Sequence, residues 1–129
     1  MCSLARARIL IVDDSSIWRT TLVELLRRSG LKTIDVAHDG VQAVSKARAL
    51  TPDLVLMDVS LPHKNGLEAA AEIHEAVPAA KIIFVSCNSD PGIKQAALNA
   101  GGSDFVCKSQ VGSQLIGAMK FVLGDAETA

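Results

Sequence analysis

Short apolar runs alternate with longer amphipathic stretches along the whole chain. Short runs bounded by polar residues or Gly read as strands buried on both faces, and apolar residues three to four apart read as helices. Arg8 to Val12 predicts a first strand that stops at Asp13-Asp14. Ser15 to Ser29 predicts a first helix, with Ile17, Thr21, Leu22, Leu25 and Leu26 at helical spacing and Gly30 as its stop. Thr33 to Ala37 predicts strand two, and Gly40 to Leu50 helix two, with Val41, Val44 and Ala47 on one face. Asp53 to Met57 predicts strand three, and Gly66 to Val77 helix three. Lys81 to Val85 predicts strand four, ending at Ser86; Asp90 to Ala100 predicts helix four, closed by Gly101-Gly102. Asp104 to Cys107 predicts strand five, ending at Lys108, and Gln110 to Leu123 helix five.

Five such βα units imply an α/β fold with one parallel sheet, helices on both faces and right-handed crossovers. The expected arrangement is flavodoxin-like, (βα)5, with strand order 2-1-3-4-5. In that order strands one, three, four and five are neighbours. The polar residues that end them share one rim: Asp13, Asp14, Asp58, Ser86 and Lys108.

Ligands of open α/β sheets bind outside the carboxyl ends of the strands. Three carboxylates crowded there repel one another and raise a pKa. A hard divalent cation removes that conflict; Mg²⁺ takes one or two carboxylates and keeps several waters. Such a site has room for a phosphoryl group. Asp58 is then the candidate nucleophile, forming an acyl phosphate. Lys108 supplies positive charge to phosphoryl oxygens, and Ser86 a hydroxyl donor.

Composition narrows the classes. The 129 residues suit one domain spanning 1–129, with 1–7 and 125–129 expected as flexible ends. Hydrophobic content of 49% is enough for a core. A net charge of −1 argues against direct nucleic-acid binding. No apolar run approaches the ~20 residues of a membrane span, and the start does not read as a signal peptide. Cys2, Cys87 and Cys107 lack metal spacing, and the expected location is the cytoplasm.

Several segments together resemble the receiver domain of two-component response regulators. They are Ile9-Leu-Ile-Val-Asp13-Asp14, Leu54-Val-Leu-Met-Asp58-Val-Ser-Leu-Pro62, Asn65-Gly66-Leu-Glu68, Ile82-Ile-Phe-Val-Ser86 and Gly101-Gly-Ser-Asp-Phe105-Val-Cys-Lys108. The resemblance implies that Asp58 is the phospho-acceptor and that Asp13 and Asp14 bind Mg²⁺, with the Ser60 main-chain carbonyl as a further ligand. It implies switch roles for Ser86 and Phe105 and a conserved-lysine role for Lys108. It implies a histidine kinase, or a small acyl phosphate, as phosphoryl donor, and no enzymatic activity beyond self-phosphorylation and autodephosphorylation. The helix 4–strand 5–helix 5 face is the expected output surface and a site for homodimer formation. The Asp58–Pro62 run is similar to receivers attached to LuxR-type DNA-binding domains. An attached output domain of that kind is therefore a further expectation, by analogy alone.

Three positions depart from the family pattern. Ser109 follows Lys108 where many receivers have Pro, so a trans bond is expected, since cis without Pro costs about 3 kcal/mol. Phe105 lacks the hydroxyl of the common Tyr. His63-Lys64 stands where small residues are frequent, in a loop suited to partner specificity.

Plainer readings stand beside these. A strand-end Asp is commonly a helix cap, and Asp14 is a candidate cap of helix one as well as a ligand. Cys87 and Cys107 read as buried structural thiols. His38, His63 and His74 lack ligand spacing and read as surface or partly packed residues. Trp18, one turn beyond Asp14, reads as packing that also senses the site. Helix four, whose apolar side is mostly Ala96, Ala97 and Ala100, reads as weakly anchored.

Among other functions, a nucleotide or flavin binder is disfavoured because Asp-Asp-Ser-Ser, not a Gly-rich loop, follows strand one. A phosphatase or mutase would be expected to place its nucleophile at strand one. The alternative kept open is a degenerate receiver acting as a phosphorylation-independent interaction module.

Overall fold

The structure is a computed structural model that describes residues 6–88 and 90–124. Five strands form one parallel sheet in the order β2-β1-β3-β4-β5, as the pattern predicts. The strands are β1 (Arg8–Val12), β2 (Thr33–Ala37), β3 (Leu54–Met57), β4 (Lys81–Ser86) and β5 (Asp104–Cys107). Between and after them run α1 (Ser16–Arg28), α2 (Gly40–Leu50), α3 (Gly66–Ala76), α4 (Pro91–Asn99) and α5 (Val111–Leu123). A 3₁₀ turn, Lys108–Gln110, joins β5 to α5.

Alternate strand residues feed two cores, one on each face of the sheet. Leu10, Val12, Val55, Met57, Ile82 and Phe84 meet Ala43, Val44, Ala47, Ala69, Ala70, Ile73 and Ala97 of α2, α3 and α4. Ile9, Ile11, Leu54, Leu56, Ile83 and Val85 meet Leu22 and Leu26 of α1 and Leu115 and Met119 of α5. Because β1, β3 and β4 are apolar on both faces, burial on both sides is the only arrangement that removes them from water.

Local chemistry sets the helix starts. Asp39 accepts the Gln42 N–H at 2.7 Å. Asn65 and Glu68 form a capping box on α3. Asp90 caps α4, with Pro91 at its first position.

Packing corrects several expectations. Ile17 is 76% exposed and Val41 55% exposed. Thr21 is exposed as well. Leu22 and Leu26, like Val44 and Ala47, face the core as their spacing predicts, and Ala43 joins them; helical spacing alone does not say which side of the stripe meets the sheet. The cap of α1 is Ser15, not Asp14: Ser15 Oγ accepts the Trp18 N–H at 3.3 Å. Ala7, expected in a flexible end, is fully buried in the α1/α5-side core. The rest of that expectation falls on 1–5 and 125–129, outside the described residues, except for exposed Arg6.

Candidate functional site

The carboxyl ends of β1, β3, β4 and β5 bring the sequence-selected residues to one rim. Asp13 follows β1 and Asp58 follows β3, and their main chains continue the sheet: Asp13 donates to the Ala37 carbonyl at 3.1 Å, Asp58 to the Val12 carbonyl at 3.0 Å. Both acids are buried, as are Ser86 and Lys108, while Asp14 is exposed. One carboxylate oxygen from each of Asp13, Asp14 and Asp58 lies within 4.8 Å of the other two.

Lys108 reaches into this group. Its Nζ is 2.8 Å from Asp13 Oδ2 and 3.3 Å from Asp58 Oδ2. Asp58 Oδ1 accepts the Ser60 N–H at 3.3 Å. Burial pushes the Asp58 carboxyl above its usual range and the Asp13 charge adds to this; Lys108 and the Ser60 N–H pull only part of it back. Burial pulls the Lys108 ammonium down, but the Asp13 hydrogen bond and the two acidic charges outweigh it, so the net shift is upward. Lys108 thus stays charged, and the acid cluster carries more negative charge than it neutralises.

The donor set fits a hard divalent cation. It is all oxygen, it is compact, and three carboxylates against one ammonium leave two negative charges to balance. Asp14, exposed at the mouth, leaves water access on one side.

Close backbone approach fixes the loop after Asp58. The Gly66 N–H donates to the Val59 carbonyl at 2.8 Å. A Cβ at Gly66 would lie 2.0 Å from the Asp58 carbonyl oxygen, so only Gly lets α3 begin here. In the same loop His63 has a left-handed backbone with φ of 67°, and it is exposed. No peptide bond among the described residues is cis, so Lys108–Ser109 is trans, as the absence of Pro predicts.

Ser86 ends β4 with its hydroxyl turned to the next loop, where Oγ accepts the Asn88 N–H at 3.1 Å. Asn88 Oδ1 accepts from Asp90 N at 2.9 Å, and Asp90 Oδ1 from Gly92 N at 2.7 Å. Three successive turns therefore tie the hydroxyl to the start of α4. Phe105 is half-buried, packed against the α2/α3/α4-side core with Lys94 Nζ 6.0 Å from its ring centroid. On α4 only Ala97 is fully buried, and Leu98 is 42% exposed, in keeping with weak anchorage.

One contact escapes a reading of sequence, and another is only half legible there, since the position of Trp18 one turn beyond Asp14 brings it to the site without naming its partner. Arg19 Nη1 donates to the Asp13 carbonyl at 2.7 Å and so holds the β1 end. The Trp18 ring lies over Lys108, with 5.0 Å between Nζ and the ring centroid. Both contacts depend on the phase of α1.

The expectation of two buried thiols is overturned. Cys87 is exposed because it lies past the last residue of β4. Cys107 is half-exposed at the end of β5, its Sγ 3.3 Å from Ser109 Oγ. That hydrogen bond, joined by one from the Ser109 backbone, holds the Cys107 thiol below its usual range. His38, His63 and His74 are all exposed.

Three grooves of about 560, 320 and 260 Å³ lie elsewhere, and none is lined by Asp13, Asp14 or Asp58.

Residues 9–120 match the family model described as the response regulator receiver domain. The chain belongs to that family. It is 36% identical over 115 residues to the chemotaxis protein CheY of Thermotoga maritima, covering 89% of this chain and 96% of that protein. It is similar to a LuxR-family two-component response regulator from Aurantimonas sp. SI85-9A1, with a TM-score of 0.86, 34% identity and coverage of 92% and 86%. It is also similar to the receiver domain of a Pseudomonas aeruginosa sensor histidine kinase, with a TM-score of 0.83, 30% identity and coverage of 92% and 98%. That receiver holds a magnesium ion in its active-site cleft. Receiver domains are signalling modules, and the (βα)5 sheet of this chain is the CheY-type fold. Among the described residues no helix is long and apolar enough to cross a membrane.

Proposed function

We propose that residues 1–129 act as one phospho-accepting receiver that takes a phosphoryl group onto Asp58. The observation that carries this reading is Lys108 Nζ, buried at 3.3 Å from Asp58 Oδ2 in the midst of the acid cluster. A lysine buried among acids at a strand end has little reason to be there for packing, but it suits an incoming phosphoryl group.

Asp13, Asp14 and Asp58 would hold Mg²⁺, with the Ser60 carbonyl as a further ligand. When bound, the ion supplies charge neutralisation to the phosphoryl oxygens. An Asp58 carboxylate oxygen attacks the phosphorus of a phosphohistidine on the partner kinase. The O–P bond forms as the donor's P–N bond breaks, and its electron pair returns to the imidazole. Hydrolysis reverses the state: a water oxygen bonds to phosphorus, the Asp58 O–P bond breaks, and carboxylate and inorganic phosphate result. Lys108 neutralises phosphoryl charge in both directions.

The added charge of about −1.5 to −2 then draws Ser86 Oγ away from Asn88 N. Release of that turn loosens the start of α4, and Phe105 turns inward into the vacated space. The α4–β5–α5 face changes and is read by a partner, by a second copy, or by an attached output domain such as a LuxR-type DNA-binding one. A full switch needs about 5.5 kcal/mol of differential stabilisation, near the upper end of the roughly 3–6 kcal/mol that two new charge-assisted hydrogen bonds supply. The reading is therefore a partial shift that a partner completes.

Intact-protein mass spectra after acetyl phosphate treatment, with and without Mg²⁺, test this on wild type and Asp58→Asn. A single Mg²⁺-dependent phosphoryl adduct, absent from the variant, is expected. No adduct on wild type would favour the phosphorylation-independent interaction module. An adduct that persists in Asp58→Asn would mean a different nucleophile.

A further inference from the structure

Asp13, Ser15 and Trp18 close a ring with the Lys108 ammonium. Asp13 Oδ1 accepts the Ser15 N–H at 2.9 Å, and Ser15 Oγ accepts the Trp18 N–H at 3.3 Å. The Trp18 ring centroid is 5.0 Å from Lys108 Nζ, which returns to Asp13 Oδ2 at 2.8 Å. The Ser15 cap sets the phase of α1, so that Ile17 points to solvent while Trp18 is half-buried over the β5 end.

Asp13 serves two masters in this ring. One oxygen is held by Ser15, and the other makes the shortest contact of Lys108. A cation drawn to Asp13 would compete with that contact. Lysine has a flexible four-carbon stem, so an ammonium released from Asp13 has many places to go. Two groups remain beside it: Asp58 at 3.3 Å and the indole face. The indole carries no formal charge, so it does not compete for the cation, yet its face attracts an ammonium most strongly where water is excluded. Lys108 is only 7% exposed.

We propose that Trp18 is a positioning residue that keeps the Lys108 ammonium at Asp58 when Asp13 turns to the cation. This rests on the receiver reading of Asp58 and Lys108. A residue that merely filled space would meet apolar neighbours alone; this one presents its ring to a buried charge.

The test compares Trp18→Phe, which keeps a ring face, with Trp18→Leu, which keeps only apolar bulk. Phosphoryl uptake from acetyl phosphate with Mg²⁺ is followed by intact mass, and thermal melts establish that each variant is folded. Trp18→Leu is expected to slow uptake about tenfold and Trp18→Phe less than about threefold. Uptake by wild type with equal rates for the two variants overturns the proposal and leaves the receiver reading standing. No uptake by wild type overturns the receiver reading itself.

A second measurement needs neither turnover nor a variant that folds. In the metal-free wild type the indole should shift the Lys108 ε-methylene proton resonance upfield. That shift should persist with Mg²⁺ and beryllofluoride, which mimics the phosphoryl group. Its absence without metal, or its disappearance on adding the two, overturns the proposal.

Discussion

Lys108 makes its shortest contact with Asp13, at 2.8 Å, rather than with Asp58. Among the described residues Lys108 is the one cation that pairs with the two buried carboxylates, so its removal leaves both without an ion-pair partner. Lys108→Ala should destabilise the metal-free protein by about 3 kcal/mol. Saturating Mg²⁺ should recover part of that loss, because a divalent ion bound only by the folded site replaces the missing charge. Urea titrations of wild type and variant in chelator and in Mg²⁺ measure both effects. Equal destabilisation in the two conditions would mean that the cation and Lys108 do not share the same acids.

Asp58 gives a pH dependence with a definite sign. Its folded pKa is raised above the ordinary 3.8, so the folded protein binds this proton more tightly than the unfolded chain. The stability it contributes is present below the ordinary value and is lost as pH rises through the raised one. Asp58→Asn does not titrate. In chelator the variant should therefore gain on wild type as pH is raised from about 4 to about 7, and the two should converge toward acid. Urea midpoints measured across that window decide it. A gap that closes with rising pH would show the opposite sign and a carboxylate stabilised by Lys108 beyond its burial cost.

Much of this arrangement is legible in the chain itself. The apolar runs Ile9–Val12, Leu54–Met57 and Ile82–Val85 have no polar face, which forces a sheet covered on both sides. Polar residues that interrupt such runs at one end, Asp13, Asp58, Ser86 and Lys108, then meet without further information. Contacts set by the rotation of a helix about its axis are not legible in this way. Ile17 and Val41 belong to apolar stripes yet face solvent, while Trp18 sits next in sequence to Ile17 and faces Lys108, ninety positions away. Asp14 is the strand-end acid that spacing offers as the α1 cap, yet Ser15 takes the role; the choice rests on backbone geometry at one residue. Exposure of Cys87 and Cys107 is hidden for a related reason, since a strand pattern does not show where its covering helices stop.

Glycine positions provide predictions of opposite sign. A Cβ at Gly66 would collide with the Asp58 main chain, which has no flexible end to give way. Gly66→Ala should cost more than about 2 kcal/mol and displace the acid it packs against. Gly117 lies inside α5 with nothing within 4 Å of a Cβ, and its φ is not positive. Gly117→Ala should stabilise by about 0.5–1 kcal/mol through the helix-forming advantage of Ala. Thermal melts of the two variants are the check. A neutral Gly66→Ala would mean that the loop after Asp58 yields more readily than its hydrogen bond from Gly66 to Val59 suggests.

The chain has a single Trp, so its fluorescence reports from one place. That place is 5.0 Å from the Lys108 ammonium, which is itself 2.8 Å from Asp13. Indole emission responds to nearby charge. A divalent ion at Asp13 and Asp14 adds positive charge to this surrounding and removes the Asp13 counter-charge from Lys108. Mg²⁺ titration should therefore change Trp18 emission in a saturable way. Asp13→Asn should abolish the change over the same concentration range, because the amide is a weaker ligand for a hard cation. Ca²⁺ should compete for the oxygen ligands, whereas an equivalent ionic strength of KCl should have no effect. A response to KCl equal to that of Mg²⁺ would reduce the signal to screening. A saturable Mg²⁺ response that survives Asp13→Asn would place the cation away from the ring that joins Asp13, Ser15, Trp18 and Lys108.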